Sequence, residues 1–448
     1  MTWKERYKDK YRTPEEAVKV IESGQTVMFP IGPPSTPQAL AKALADRWEE
    51  LENVTVDTTF SFAVGFGLLE PGRDKAFKLR TFFTFAPPEQ ILLTQKNPYI
   101  DFARMTPTFF TNKVGGHARD TAQEILPDVF MFIVSPPNEQ GFCSFGAHLW
   151  HNRSLARLAK VCIAEVDPEM PRTGGQNYIH VDEIDYLVDT QVILAPLREL
   201  VVQVSPHEEE ASTIIGGYVA TLIQHGDCLE IGGGAMSMRA TAFMDNFIDL
   251  GIHSEAIMPG QVTLMKQGVA TCKRKNIHPG KAIGTGVMWE PGDKEFVDGN
   301  PMIELYDMEY NNSPKIIAQN DNMVAINACL AVDLYGQIAV EKAGPRYFAG
   351  IGGQYEFVMG ALWSKGGRSI HVMPATTTNG ESHIMPLHPP GSVVTVPSIC
   401  ADFVVTEYGI ASLMHKTERQ RAEEIIAVAH PDHRAELKKE MQKLLYSS

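Results

Sequence analysis

The sequence predicts an α/β protein built from two related open α/β domains, and three observations carry that prediction. The chain has 448 residues, more than one hydrophobic core usually serves. Apolar residues make up 44% and charged residues 21%, the balance of a folded globular protein able to bury sizeable cores. The order turn, strand, glycine loop, helix, strand also occurs twice, which is a βαβ unit opened by a tight loop and then repeated.

In the first copy, Gly24 to Phe29 reads as a turn and a short strand. The Gly/Pro-rich loop Pro30 to Pro34 follows, then a helical pattern from Thr36 to Trp48 and a strand from Val54 to Asp57. In the second copy, Gly226 to Ile231 precedes the loop Gly232-Gly233-Gly234, a helical pattern spans Met236 to Phe247, and an extended segment lies around Ile252. Between the copies, Val192 to Val204 is rich in β-branched and apolar residues, and Pro206 to Glu210 has the look of a solvated helix start. The boundary is therefore expected near residue 190, to within about ten residues, giving domains 1–190 and 191–448. Helical patterns from Thr417 to Ala429 and from Asp432 to Leu445, interrupted at Pro431, are expected to pack outside the second domain.

Forty basic residues against 54 acidic ones give a net charge of −14. That argues against a polyanion-binding surface, which needs clustered Lys and Arg; the run Cys272-Lys273-Arg274-Lys275 is too short to be one. The six cysteines, Cys143, Cys162, Cys228, Cys272, Cys329 and Cys400, stand singly without a CxxC pair, so neither a zinc ribbon nor a disulfide framework is indicated. Met1 to Arg6 is charged and lacks an apolar signal core, and no stretch approaches the ~20 apolar residues of a membrane span. A soluble cytoplasmic protein is expected, with no metal and no nucleic-acid or membrane partner.

Glycine gathers in three places. Gly232-Gly233-Gly234 follows a strand and opens a helix, where loop amides commonly meet an anion or a polar carbonyl; the spacing is not GxGxxG, and an ordinary tight turn is an equal reading. Gly350-Ile351-Gly352-Gly353-Gln354 stands before the helix-compatible stretch Phe357 to Trp363. Main-chain N–H groups there could form an oxyanion hole, or the segment could be a hairpin or bulge. Lys365-Gly366-Gly367-Arg368 sets two positive charges beside a flexible turn, a surface feature unless a phosphorylated ligand is bound nearby.

Glu255 sits in the largely uncharged segment Leu250 to Gly260. A lone glutamate in such a setting is ordinarily a surface residue or helix cap, because burying a carboxylate is costly. Its position after a repeat unit, at the end of an expected strand, favours a role in a site, since ligands of open α/β sheets gather at strand carboxyl ends. HExxH, GxSxG and P-loop patterns are all absent. His117, His180, His253 and His371 lie near apolar or Gly-rich segments and read as structural histidines rather than general bases.

Several segments, taken in order, resemble the acetyl-CoA hydrolase/transferase family, which includes 4-hydroxybutyrate and butyryl-CoA:acetate CoA-transferases. They are Phe142 to Gly146, Ile179 to Val181, Gly251 to Glu255, His278 to Lys281, Ile317 to Met323, Gly350 to Gln354, Ser364 to Gly367 and Val405 to Ile410. The resemblance covers nearly the whole chain. It implies two α/β domains with the active site in the cleft between them, Glu255 as the catalytic glutamate, and coenzyme A as substrate in the form of acyl-CoA. It further implies CoA contacts at Ile231, Gly232, Gly233, Gly234, Ala235, Gly350, Gly353 and Lys365, with Gly352 and Gly353 as oxyanion donors, and a homodimer. Three departures bear on the acyl group: Met236-Ser237 replaces a common Ile-Pro pair, Glu356 stands where Asp is frequent, and the loop Pro30 to Pro34 is rich in proline.

The implied reaction is ping-pong CoA transfer between short-chain acids of the acetate, butyrate or 4-hydroxybutyrate type, through a glutamyl-CoA thioester. Alternatives are a dicarboxylate-specific CoA-transferase and an acyl-CoA thioesterase, which would use water as final acceptor. A non-catalytic metabolite sensor is a further alternative, and it would keep any CoA-dependent behaviour after Glu255→Ala.

Overall fold

The computed structural model describes residues 2–30, 35–58, 66–68, 70–81, 100–102, 126–190, 205–344 and 346–446. The chain divides into two compact units, residues 1–200 with 285–310, and residues 201–284 with 311–448. The boundary expected near residue 190 borders residues 191–204; these, most of the loop Pro30 to Pro34 and His117 lie outside the described residues. Among the described residues, no helix is long and apolar enough to cross a membrane.

The first unit holds a seven-stranded sheet. In spatial order its strands are Tyr186–Asp189, Val161–Val166, Val129–Val134, Thr26–Met28, Val54–Thr58, Phe77–Thr81 and Ile100–Phe102, and every pairing is parallel. Val129–Val134 is buried at all six positions, as a strand covered on both faces must be. The helix Gln38–Asp46, expected from Thr36 to Trp48, lays Leu40 and Leu44 into a core that includes Val27, Val54 and Phe77.

The second unit holds a six-stranded sheet in the order Gly251–Ile252, Cys228–Ile231, Met323–Ala328, Arg368–Val372, Phe403–Thr406, Gly409–Ser412. All pairings are parallel except the last, a hairpin. The solvated start at Pro206 opens the helix Pro206–Thr221, which Ser205 caps in a reciprocal capping box with Glu208. The two terminal helices are Glu418–Ala427 and Pro431–Tyr446. Pro431 does not merely interrupt them; it starts the second, where its missing N–H costs nothing.

The helix expected from Met236 to Phe247 is shorter. Ala235–Met238 is α-helical, and Arg239–Phe243 tightens into a 3₁₀ turn. The Thr241 hydroxyl donates to the Met238 carbonyl at 2.9 Å, a local bond that competes with regular helix.

The repeat extends to individual hydrogen bonds. Gly24 and Gly226 both have φ above +80°, and Asn53 and Asp249, each in the turn before its unit's next strand, are both left-handed with φ of 55° and 56°. Gly24 N–H donates to Glu52 O as Gly226 N–H does to Ile248 O, both at 2.9 Å. Thr55 N–H donates to Gln25 O at 2.9 Å, as Gly251 N–H does to Asp227 O at 2.8 Å. Short polar side chains tolerate the left-handed region best, and Asn and Asp occupy it here.

Candidate active site

Glu255 follows the short strand Gly251–Ile252 and keeps only part of its surface exposed. Its Oε2 accepts the main-chain N–H of Gly353 at 2.9 Å. Gly353 is the N-cap of the helix Gln354–Trp363, so the carboxylate meets the positive end of a helix dipole. Desolvation raises the Glu255 pKa above the usual carboxylate range, while the Gly353 N–H and the Asn312 side chain pull it back. A Cβ at Gly353 would lie 2.5 Å from Asn312 Nδ2 and 2.9 Å from Glu255 Oε2. The main chain approaches the carboxylate this closely only because residue 353 has no side chain.

The segment carrying Glu255 is pinned on both sides. Asn311 Nδ2 donates to Ser254 O at 2.9 Å and to Asn312 Oδ1 at 3.0 Å. Ser254 Oγ accepts the N–H of Ile231 at 3.3 Å. His253 is fully buried, with Nε2 2.8 Å from Asn311 O and Nδ1 3.0 Å from Asn320 Nδ2. An amide that donates and a carbonyl that accepts fix the neutral tautomer with its proton on Nε2, and burial pushes the His253 pKa down to about 3. His253 therefore holds the segment in place. Replacing it with Ala is expected to destabilise the fold by about 3 kcal/mol, because two buried polar groups lose their partner; denaturant unfolding measures this.

The Gly232–Gly234 loop lies at the same end of the sheet. Gly232 N–H is committed to Ile326 O at 2.9 Å, and the Ile231 N–H to Ser254, so neither amide is spare for a ligand. Ser237 Oγ donates to Gly232 O at 2.7 Å and to Gly234 O at 2.9 Å. Of the other glycines, Gly350 is buried, and Gly352 takes φ +55° in the turn that delivers Gly353.

Lys365 is not brought to this site. It precedes the strand Arg368–Val372, at the edge where Asp227 and Asn322 also precede their strands, whereas Glu255 and both glycine loops lie beyond the carboxyl ends. Asn322 N–H donates to Lys365 O at 2.8 Å. The neighbouring charge, Arg368, is engaged by the Asp227 carboxylate and by Leu222 O at 2.8 Å, so it binds the fold together. His371 and His180 are also tied to the fold: Gln354 Nε2 lies 3.2 Å from His371 Nδ1, and His180 Nε2 lies 2.9 Å from Gln140 O.

Sequence reasoning missed Asn311, Asn312, Asn327 and Glu230. Glu230 is only 2% exposed, and burial together with the charge of Glu255 raises its pKa well above the usual range, against the Asn327 amide. A glutamate inside the otherwise apolar strand Cys-Leu-Glu-Ile was the signal available for it. The six cysteines are all free and buried, and burial pushes the Cys143 thiol up to about 12, leaving it inert as a nucleophile.

Parallel α/β sheets with a desolvated carboxylate held on a main-chain amide define the class: an α/β protein with a candidate site at one glutamate. The chain belongs to the acetyl-CoA hydrolase/transferase family, whose N-terminal domain matches residues 1–197 and whose C-terminal domain matches residues 294–441. It is 37% identical to the 4-hydroxybutyrate coenzyme A transferase of Clostridium kluyveri, over 99% of this chain and 100% of that protein. It is 34% identical to the succinyl-CoA:cyclohexane-1-carboxylate CoA transferase of Geobacter metallireducens, over 97% and 96%. The crystal structure of RipA from Yersinia pestis superposes with a TM-score of 0.88 at 33% identity, over 99% of both chains.

Proposed function

We propose that this enzyme, a CoA-transferase acting on short-chain carboxylic acids, works through a covalent glutamyl-CoA thioester on Glu255. The observation that carries the reading is the Gly353 N–H on Glu255 Oε2 at 2.9 Å. In this reading Oε1 is the attacking atom and Oε2 the oxygen that stays on the Gly353 amide. Oε1 adds to the thioester carbonyl of acyl-CoA and expels CoA thiolate, giving an acyl-glutamyl anhydride. The thiolate then attacks Glu255 Cδ, and the negative charge develops on Oε2, the oxygen the Gly353 amide already holds. A donor preorganised at that atom stabilises the tetrahedral state without rearrangement. Collapse releases the first acid together with Oε1 and leaves glutamyl-CoA; a second carboxylate reverses the sequence.

A carboxylate suits exchange because its anhydride and thioester keep the reactivity of the incoming acyl-CoA. The two named relatives support transfer between carboxylates over hydrolysis, and their acids, 4-hydroxybutyrate, succinate and cyclohexane carboxylate, differ. Acetate, butyrate and 4-hydroxybutyrate are the acids to assay first, followed by dicarboxylates. We place the protein in the cytoplasm as a homodimer.

Incubation with acetyl-CoA, borohydride reduction and peptide mass spectrometry is expected to find the modification on Glu255, with labelled acetate entering acetyl-CoA. An exchange-active enzyme with unmodified Glu255 would sink the mechanism. Acyl-CoA consumption at the same rate with no acceptor acid present would turn the reading to a thioesterase.

A further inference from the structure

We propose that Glu230 is a positioning residue for the reaction at Glu255: its buried carboxyl fixes the Asn327 carboxamide and, through it, the Gly232–Gly234 loop beside the nucleophile. The inference rests on the reading of Glu255 as that nucleophile.

Glu230 lies opposite Ala325 in the parallel register of Cys228–Ile231 with Met323–Ala328. Asn327, two residues further along the neighbouring strand, projects from the same face as Ala325. Its Nδ2 donates to Glu230 Oε2 at 2.7 Å, and both residues are buried, 2% and 6% exposed. A carboxamide has one donating and one accepting end. With the donating end taken by Glu230, Oδ1 turns toward Gly232, where a Cβ would lie 2.5 Å from it. A Cβ at Gly234 would lie 2.7 Å from the Cβ of Ala328. The loop thus rests directly on Asn327 and Ala328, and a turned carboxamide would press its NH₂ against Gly232. The loop in turn adjoins Ser254 and Glu255 through the Ile231 N–H on Ser254 Oγ.

The acid does something an amide does not. Glutamic acid offers an acceptor oxygen to Asn327 in either protonation state and has no NH₂ group to present in the wrong sense. Burial first, and the Glu255 charge after it, raise its pKa and so favour its neutral form against the pull of Asn327. Glu255 is the ionisable group that acts on it. Ionisation of Glu230 at high pH would set a second negative charge beside the oxyanions formed at Glu255.

The test compares Glu230→Gln with Glu230→Leu in the full chain, reading kcat/KM for CoA exchange across pH, the Glu255 adduct and the thermal midpoint. Leu removes the acceptor and is expected to lower kcat/KM by about tenfold or more, as a displaced loop beside a reacting centre does. Gln is expected to stay within about threefold of the wild type at neutral pH and to lose the alkaline decline. Wild-type kcat/KM in Glu230→Leu overturns the inference, as does an equal loss in both variants. Should the Leu variant not fold, an alkaline limb unchanged in Glu230→Gln overturns it. If the adduct forms on wild-type Glu255 and these outcomes occur, the inference fails alone; if wild-type Glu255 forms no adduct, the nucleophile reading fails and takes the inference with it.

Discussion

Glu255→Gln is expected to abolish CoA transfer, lowering kcat by a factor on the order of 10⁴ or more. The amide keeps the shape of the side chain and leaves an oxygen for the Gly353 N–H, but it offers no anionic oxygen to attack a thioester. The fold should not suffer. The folded protein raises the Glu255 pKa, chiefly by desolvation, so the charged form is less favourable folded than unfolded. That cost appears as pH rises above the unfolded pKa and is complete above the folded one. Removing the charge should therefore make Glu255→Gln at least as stable as the wild type at neutral pH, with the difference vanishing toward pH 4, about the unfolded value. Thermal unfolding at the two pH values checks this. The same shift predicts that wild-type kcat/KM falls on the acid side from above the ordinary glutamate pKa, as protonation removes the nucleophile.

Gly353→Val is expected to cost about 10²- to 10³-fold in kcat, the range seen when an oxyanion donor is lost. The backbone itself is not the obstacle, since φ −89° and ψ 8° at Gly353 are open to residues with side chains. The obstacle is space: the new Cβ would meet Asn312 Nδ2 at 2.5 Å and Glu255 Cδ at 3.0 Å. Something at the site must shift, and the carboxylate and its donor are what lie there. Single-turnover measurement of the glutamyl-CoA adduct separates this effect from substrate binding. An unchanged adduct rate would remove Gly353 from the chemistry.

The two α/β units, the repeat and the glutamate were legible in the sequence to different depths. Alternating turn and strand signals marked both βαβ units because those signals are local. Glu255 by composition alone looked like a surface carboxylate, and the order of motifs around it made it the candidate nucleophile. Asn311 and Asn312 were invisible because they reach Ser254 and Glu255 from more than fifty positions away in a short polar run that nothing distinguishes from a loop. Lys365 reads as a phosphate contact through its charge and its glycines; the structure sets it just before a parallel strand, at the edge opposite Glu255 and the glycine loops. His253 showed its ring in the motif but not the Asn311 carbonyl and Asn320 amide that make it neutral.

The matching turns at Gly24 with Asn53 and at Gly226 with Asp249 let the two copies of the unit be compared position by position. Counting from the left-handed residue, the place of His253 falls on Asp57 in the first copy, where a bidentate ion pair with Arg80 at 2.6 Å replaces the neutral histidine network. The place of Glu255 falls on Thr59, which has no carboxylate to acylate. Only the second copy carries a glutamate at that place, so the proposed mechanism sets the stoichiometry of a fully loaded enzyme at one CoA per chain.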